Sequence, residues 1–174
     1  MIEDVLLIDP EAFLDERGWF SESYRKTSLM KHGVTQFSQV NRSFSINKGT
    51  IRGLHLQEKP HSQGKLVQCI MGSIFDVAVD VRRSSPTFGK WVSYTLNREN
   101  RRSLWIPEGF AHGFQTLEDN TEVLYLTTRE YSPEHDRSIL WSDPEIGIKW
   151  PLSHTPVLSE KDSQAPLLNE LVGR

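Results

Sequence analysis

Apolar residues recur at every second position in run after run of this chain, with turn signals between the runs. That pattern commits it to half-buried β-strands. "FSQVNRSFSI" leads through the turn Asn47-Lys48-Gly49 into "TIRGLHLQ", and a polar loop through Pro60 and Gly64 leads on to "KLVQCIM". "KLVQCIM" and "IFDVAVDV" meet at Gly72-Ser73, the spacing of a tight hairpin. In the second of these, Val77, Val79 and Val81 share one face while Asp76, Ala78 and Asp80 share the other. "KWVSYTL", "SLWIPEGFAHGFQTL" (broken at Pro107-Glu108-Gly109) and "EVLYLTTREY" continue the series. About seven or eight strands, by spacing, with no repeat or linker, predict one all-β domain over residues 1–174, a double-sheet jelly roll. Two short peripheral helices are predicted. One is "SESYRKTSLMKHG", with Ser21 or Ser23 as N-cap and Gly33 as stop, and the other lies near "SEKDSQAPLLNEL".

Composition narrows the function classes. The 174 residues are 37% hydrophobic and 25% charged with net charge −3, which fits neither disorder nor a nucleic-acid-binding field. The most apolar stretch, Leu66 to Val81, is interrupted by Gln68, Gly72, Ser73, Asp76 and Asp80, so no membrane segment is expected. The single cysteine, Cys69, rules out an intrachain disulfide, and the first residues lack a signal-peptide pattern; a reducing cytoplasm is the expected compartment.

The chemistry centres on "IRGLHLQ", where His55 sits between two leucines. Jelly rolls of the cupin type often bind a metal through His-x-His on one strand plus a later histidine, because a strand puts i and i+2 on one face. Here Gln57 takes the second position, while Pro107-x-Gly109-x-x-His112 preserves the other half. Two histidines are too few ligands for a tight transition-metal site, so neither metal nor cofactor is expected. Arg52, Lys65 at the start of the next strand and Tyr125 add a cation and a phenol, a set suited to an acid–base pocket. Strict alternation, however, puts His55 with Ile51, Gly53 and Gln57, and Arg52 on the opposite face with Leu54 and Leu56. To meet at one ligand, the two need either a bulge at Gly53 or an arginine reaching around the sheet edge.

Eight blocks, in order over almost the whole chain, carry a family resemblance: "DERGWFSES", "QVNRSFS", "IRGLHLQ", "QGKLVQC", "DVAVDVRRSSPTFGKW", "LWIPEGFAHGF", "SILWSDPEIGIKWP" and "LSEKDSQAPLL". Together they resemble the dTDP-4-dehydrorhamnose 3,5-epimerase family. The resemblance implies a metal-free cupin-type jelly roll (a double-stranded β-helix), usually a homodimer, acting on a dTDP-linked 4-keto-6-deoxyhexose. It implies His55 as base, Asp162 as the carboxylate orienting it, Lys65 at the C-4 oxygen and Tyr125 as the acid on the opposite face. Tyr131 is the competing candidate for the acid or for positioning the sugar. An imidazole, with an ordinary pKa of ~6.5, is a competent neutral base near pH 7.

The resemblance also implies substrate contacts. Arg52 and Arg17 would meet the diphosphate, His112 the sugar or phosphate, and Glu22, Gln39 and Asn41 the nucleotide end; Lys161 flanks Asp162. Because the family's nucleotide site is shared between subunits, Arg17 and Glu22 are expected to serve a partner's pocket. Asp136 stands where the family often carries glutamate, a shorter arm for any ligand contact. The rival readings are an epimerase that inverts C-3 alone, a ketoisomerase of a related sugar, and a non-catalytic sugar-nucleotide-binding jelly roll. The five tryptophans, Trp19, Trp91, Trp105, Trp141 and Trp150, are read mostly as core rather than as a sugar-stacking surface.

Overall fold

The structure, a computed structural model, describes residues 2–172. Two five-stranded antiparallel sheets face each other in a cupin-type jelly roll, matching the predicted all-β class. The first holds β1 (Leu6–Ile8), β4 (Gln39–Ser45), β6 (Lys65–Met71), β9 (Ser103–Ile106) and β11 (Thr121–Thr127), in the order β1-β9-β6-β11-β4. The second holds β5 (Ile51–Gln57), β7 (Ser73–Asp80), β8 (Trp91–Asn97), β10 (Phe110–Thr116) and β12 (Asp136–Ser138), in the order β12-β5-β10-β7-β8. A separate hairpin is formed by β2 (Ala12–Asp15) and β3 (Gly18–Ser21).

The inward faces of the two sheets divide the interior in two. One end is an apolar core of Val67, Cys69, Ile74, Ala78, Leu96, Leu104, Ile106, Phe110, Phe114 and Val123. At the other end polar side chains line a cavity. Outside the second sheet, the segment from Ile139 onward covers Leu54, Leu56, Val77, Val79 and Ala111, burying that sheet on both faces. Helix α1 (Lys26–Met30) and its flanks cover Leu66 and Trp105 outside the first.

Four sequence expectations are corrected. Gly72-Ser73 is no hairpin: β6 and β7 lie in different sheets, and Gly72 (φ +75°) turns a corner between them. Pro107-Glu108-Gly109 makes the same crossing from β9 to β10. The first helix is only five residues long, well short of the span expected between a Ser21 or Ser23 cap and the Gly33 stop, and its N-cap is Arg25. Both serines are engaged elsewhere: Ser21 Oγ donates to the Glu11 carbonyl (2.8 Å), and the Ser23 carbonyl accepts from Gln68 Nε2 (2.9 Å). The tail holds two short helices instead of one, α2 (Glu160–Ser163) and α3 (Leu168–Val172). Of the tryptophans, Trp105 is buried and Trp91 and Trp150 pack on the outer core, whereas Trp19 is exposed.

Strict alternation fails in β5, and Gly53 is the reason. His55 pairs with His112 and Arg52 with Phe114, so two β5 residues oppose one on β10. Gly53 has φ +120°, and a Cβ there would meet Gly113 Cα at 2.6 Å and the His112 carbonyl at 2.7 Å. Only glycine tolerates both conditions. The bulge turns Arg52 to the same inward face as His55, while Leu54 and Leu56 face the outer core.

Gly53→Ala should therefore cost about 3 kcal/mol in urea unfolding. Gly18→Ala, also at positive φ (+135°) but with open space around it, should cost about 1 kcal/mol. Equal losses would refute the close approach at Gly53.

Candidate active site

The cavity, about 400 Å³, opens between the sheets and is lined by groups from both. From the second sheet come Arg52, His55, Gln57 and His112; from the first, Asn41, Ser43, Lys65 and Tyr125. Tyr131, Asp136, Lys161 and Asp162 close its rim. Helix α2 delivers Asp162 because Ser159 caps it, accepting from the Asp162 amide at 3.1 Å.

His55 Nε2 lies 2.6 Å from Asp162 Oδ1, and the amide of the bulge residue Gly53 donates to the other carboxylate oxygen at 3.5 Å. Burial alone would raise the Asp162 carboxyl; the hydrogen bond and charge of His55, helped by Ser159 and Gly53, hold it below the usual carboxylate range. An ionised Asp162 fixes the imidazole with Nε2–H toward the carboxylate, leaving Nδ1 as the nitrogen free to take a proton.

A second, fully buried pair stands beside the first. His112 Nε2 is 2.6 Å from Asp76 Oδ1, and Asp76 Oδ2 has no partner among the described residues. Burial drives the pair toward net neutrality, pushing the Asp76 carboxyl up and the His112 imidazole down. In the sequence Asp76 stands out only as a polar position alternating with valines. The signal that marks it is a carboxylate on the inward face of β7 between the core residues Ile74 and Ala78, which requires a partner.

Lys65 donates to the His55 carbonyl at 3.2 Å. Desolvation lowers its pKa from 10.5 to about 8, against the opposing charges of Asp136 and Asp76. The ammonium is thus the main form at pH 7, held in a poorly hydrated place where its field is strong. On the same sheet as Lys65 and facing the histidines, Tyr125 packs edge-on against His112 at 6.0 Å between ring centroids, and its hydroxyl lies 2.8 Å from Ser43 Oγ. Burial lifts the phenol well above its ordinary range, with Ser43 opposing, so Tyr125 keeps its proton. Ser43 was missed because a serine in an alternating strand carries no signal until its partner is known.

At the rim, Tyr131 Oη donates to Asp136 Oδ2 at 3.0 Å and Lys161 pairs with the same carboxylate. Tyr131 is 55% exposed. Arg52 Nε donates to Ser45 Oγ (3.1 Å) and its terminal nitrogen to the Phe44 carbonyl (2.9 Å). Gln39 does not line the cavity; its amide bridges Asn41 Oδ1 (2.7 Å) and the Tyr131 backbone N–H (2.8 Å). Arg17 and Glu22 are not brought in: Arg17 sits at the exposed tip of the β2–β3 hairpin against Asp15, and Glu22 pairs with Arg25. Among the described residues no cluster of three metal-ligating side chains is found.

A base held by a carboxylate on one wall, a protonated phenol on the facing wall and a desolvated ammonium beside the base define an enzyme that moves protons at carbon, an epimerase or isomerase. The comparisons agree. The family model for dTDP-4-dehydrorhamnose 3,5-epimerase matches residues 1–170. The dTDP-4-dehydrorhamnose 3,5-epimerase of Salmonella typhimurium is 54% identical over 172 residues, covering 97% of this chain and 93% of that protein. A solved 3,5-epimerase from Legionella pneumophila, in complex with dTDP-4-keto-L-rhamnose, superposes with TM-score 0.92 at 46% identity, over 97% of this chain and 89% of that one. The epimerase of Mycobacterium tuberculosis superposes with TM-score 0.95 at 39% identity, over 99% and 88%. The chain belongs to the dTDP-4-dehydrorhamnose 3,5-epimerase family.

An NMR titration of the Lys65 side chain should give a midpoint of about 8. A midpoint at the ordinary value of 10.5 would show that the ammonium is hydrated and not desolvated in the cavity.

Proposed function

We propose that this chain, as one jelly-roll domain, epimerises C-3 and C-5 of dTDP-4-dehydro-6-deoxy-D-glucose to give dTDP-4-dehydro-L-rhamnose. The observation that carries the mechanism is the placement of His55 and Tyr125 on opposed sheets of one cavity. Inversion at carbon needs a proton removed from one face and returned to the other.

The C-4 ketone acidifies the hydrogens on C-3 and C-5. His55 Nδ1 takes one of them; the C–H electron pair moves into the ring and the ketone oxygen becomes an enolate oxygen. Lys65 stabilises that charge, and a cation or donor so aimed is commonly worth ~3 to 4 kcal/mol in a dry site. Asp162 stabilises the imidazolium as it forms. Tyr125 then donates its phenolic proton to the opposite face of the carbon, and exchange with solvent resets both groups.

Tyr125 is preferred over Tyr131 as acid because it is partly buried on the sheet facing the base, whereas the exposed Tyr131 already donates its hydroxyl proton to Asp136. Tyr131 and Lys161 are assigned to holding the sugar at the rim, with Asp136 as their shared anchor. Arg52 is assigned to the diphosphate, His112 to a hydrogen bond with sugar or phosphate, and Asn41 to the nucleotide end, with Gln39 holding the Asn41 side chain rather than the ligand.

Two copies form the working unit in this reading. The β2–β3 hairpin exposes Phe13 (57%), Leu14 (81%), Trp19 (50%) and Phe20 (70%), a surface suited to burial against a partner. Docked there, it would carry Arg17 and Glu22 toward the other copy's nucleotide. No helix is long and apolar enough to cross a membrane among the described residues; a nucleotide-linked sugar as substrate supports a cytoplasmic reaction.

Incubation with dTDP-4-dehydro-6-deoxyglucose in D₂O should place deuterium at both C-3 and C-5, read by NMR after reduction of the product. Label at C-3 alone would identify a C-3 epimerase, and label at neither would identify a binding protein. His55→Ala should abolish both exchanges while nucleotide binding survives. Asp162→Asn should lower kcat by roughly 10²- to 10⁴-fold with the fold intact by circular dichroism; a loss under threefold would remove Asp162 from the dyad.

A further inference from the structure

Tyr131 stands on a wall between two hollows, the catalytic cavity and an open depression of about 810 Å³ lined by Gln36, His61, Glu108, Arg129 and Glu134 among others. With over half its surface exposed, the ring has little packing to fix it. Its backbone, by contrast, is held on consecutive groups by three glutamines from three different parts of the fold. Gln63 Nε2 donates to the Arg129 carbonyl (2.7 Å), and Gln57 Nε2 to the Glu130 carbonyl (3.3 Å). Gln39 Oε1 accepts from the Tyr131 amide (2.8 Å), and Gln57 Oε1 accepts from the Ser132 amide (2.7 Å).

Gln57 is the hub of this arrangement. It is buried, 4% exposed, and its amide makes three contacts, the third to the His61 carbonyl at 2.6 Å. It lies two residues after His55 on the inward face of β5, so base and clamp share one rigid strand. A fully satisfied, buried side-chain amide rigidifies the groups it bonds, and losing it leaves partly buried carbonyls and an amide without their partner.

We infer that Gln57 is a positioning residue of the reaction: by clamping residues 130–132 it sets where Tyr131 meets the substrate, and thereby governs whether one or both carbons are inverted before release. This rests on the role given to Tyr131 in the proposed function. Sugar held slightly out of place still binds through its nucleotide but presents the second carbon poorly to the base, and a 1 Å misplacement can cost ~10²-fold in rate.

The test combines Gln57→Met and Tyr131→Phe, singly and together. Gln57→Met should lower kcat roughly tenfold or more while KM and the Kd for dTDP move less than about threefold. The share of product inverted at one carbon only should rise. In the Gln57→Met background, Tyr131→Phe should cost less than about twofold further, because the tyrosine has already lost its place. Multiplying losses, or a KM effect without a kcat effect, would overturn the inference.

Gln57→Glu keeps the acceptor for Ser132 but not the donors, and should fall between wild type and Gln57→Met. Hydrogen exchange on the unmodified protein reads the clamp apart from catalysis. The Tyr131 and Ser132 amides should be protected, and exchange as fast as an open loop would refute the clamp. A wild-type protein that labels neither C-3 nor C-5 would instead bring down the proposed reaction, with the clamp still read by amide protection.

Discussion

Two carboxylates buried inside a β-sandwich set the terms for everything around them. Asp162 and Asp76 each meet an imidazole at 2.6 Å, on adjacent strands whose histidines pair directly across the ladder. An isolated buried carboxylate would cost several kcal/mol or shift to its neutral form. The histidines are what allow one end of the interior to stay polar, with Asp162 ionised and Asp76 drawn toward its neutral form, while the other is filled with Ile74, Leu96, Leu104 and Phe110. Apolar and polar halves coexist because each strand changes character along its length: β6 enters with Lys65 and continues with Val67 and Cys69 on the same face. Cys69 belongs to the apolar half, where desolvation pushes its thiol up to about 12 and leaves it inert.

The long strands were legible in the sequence because seven or eight alternating residues carry enough periods to be seen. The three-residue β1 and β12 and the four-residue β2 and β3 carry too few, and sequence reading passed over them. The Gly72 corner was misread for a different reason. A glycine between two strands looks the same whether the chain folds back on its own sheet or crosses to the other, and only the distant partners of β6 and β7 decide. The helix from residue 21 to 33 has adequate local propensity, yet Gln68 draws the Ser23 carbonyl toward the sheet and propensity gives way to tertiary contact.

Of the site, the residues on β5, β6, β10 and β11 were visible through the half-preserved metal motif and the family blocks. Asp76, Ser43 and the glutamine clamp were not, since each acts on another protein group and has no motif of its own. Arg17 and Glu22 came from the family blocks alone, and one copy of the chain does not place them at the cavity. Gln57 was noticed as a missing ligand; its bonds show that the position has instead become a bracket for the neighbouring loop.

The crossings at Gly72 and at Pro107–Gly109 have a kinetic side. Apart from β7–β8 and the β2–β3 hairpin, successive strands land in different sheets, so most partners wait far along the chain: Gln39 for Thr127, Ile51 for Gln115, Lys65 for Ile106. Such a high contact order makes loop closure the dominant barrier and puts the fold among slow folders. His55 cannot face Tyr125 until both sheets have closed, and it gains Asp162 only when nearly the whole chain is in hand. A truncated or nascent copy therefore carries the base without its carboxylate, and the capacity to act arises in one late step.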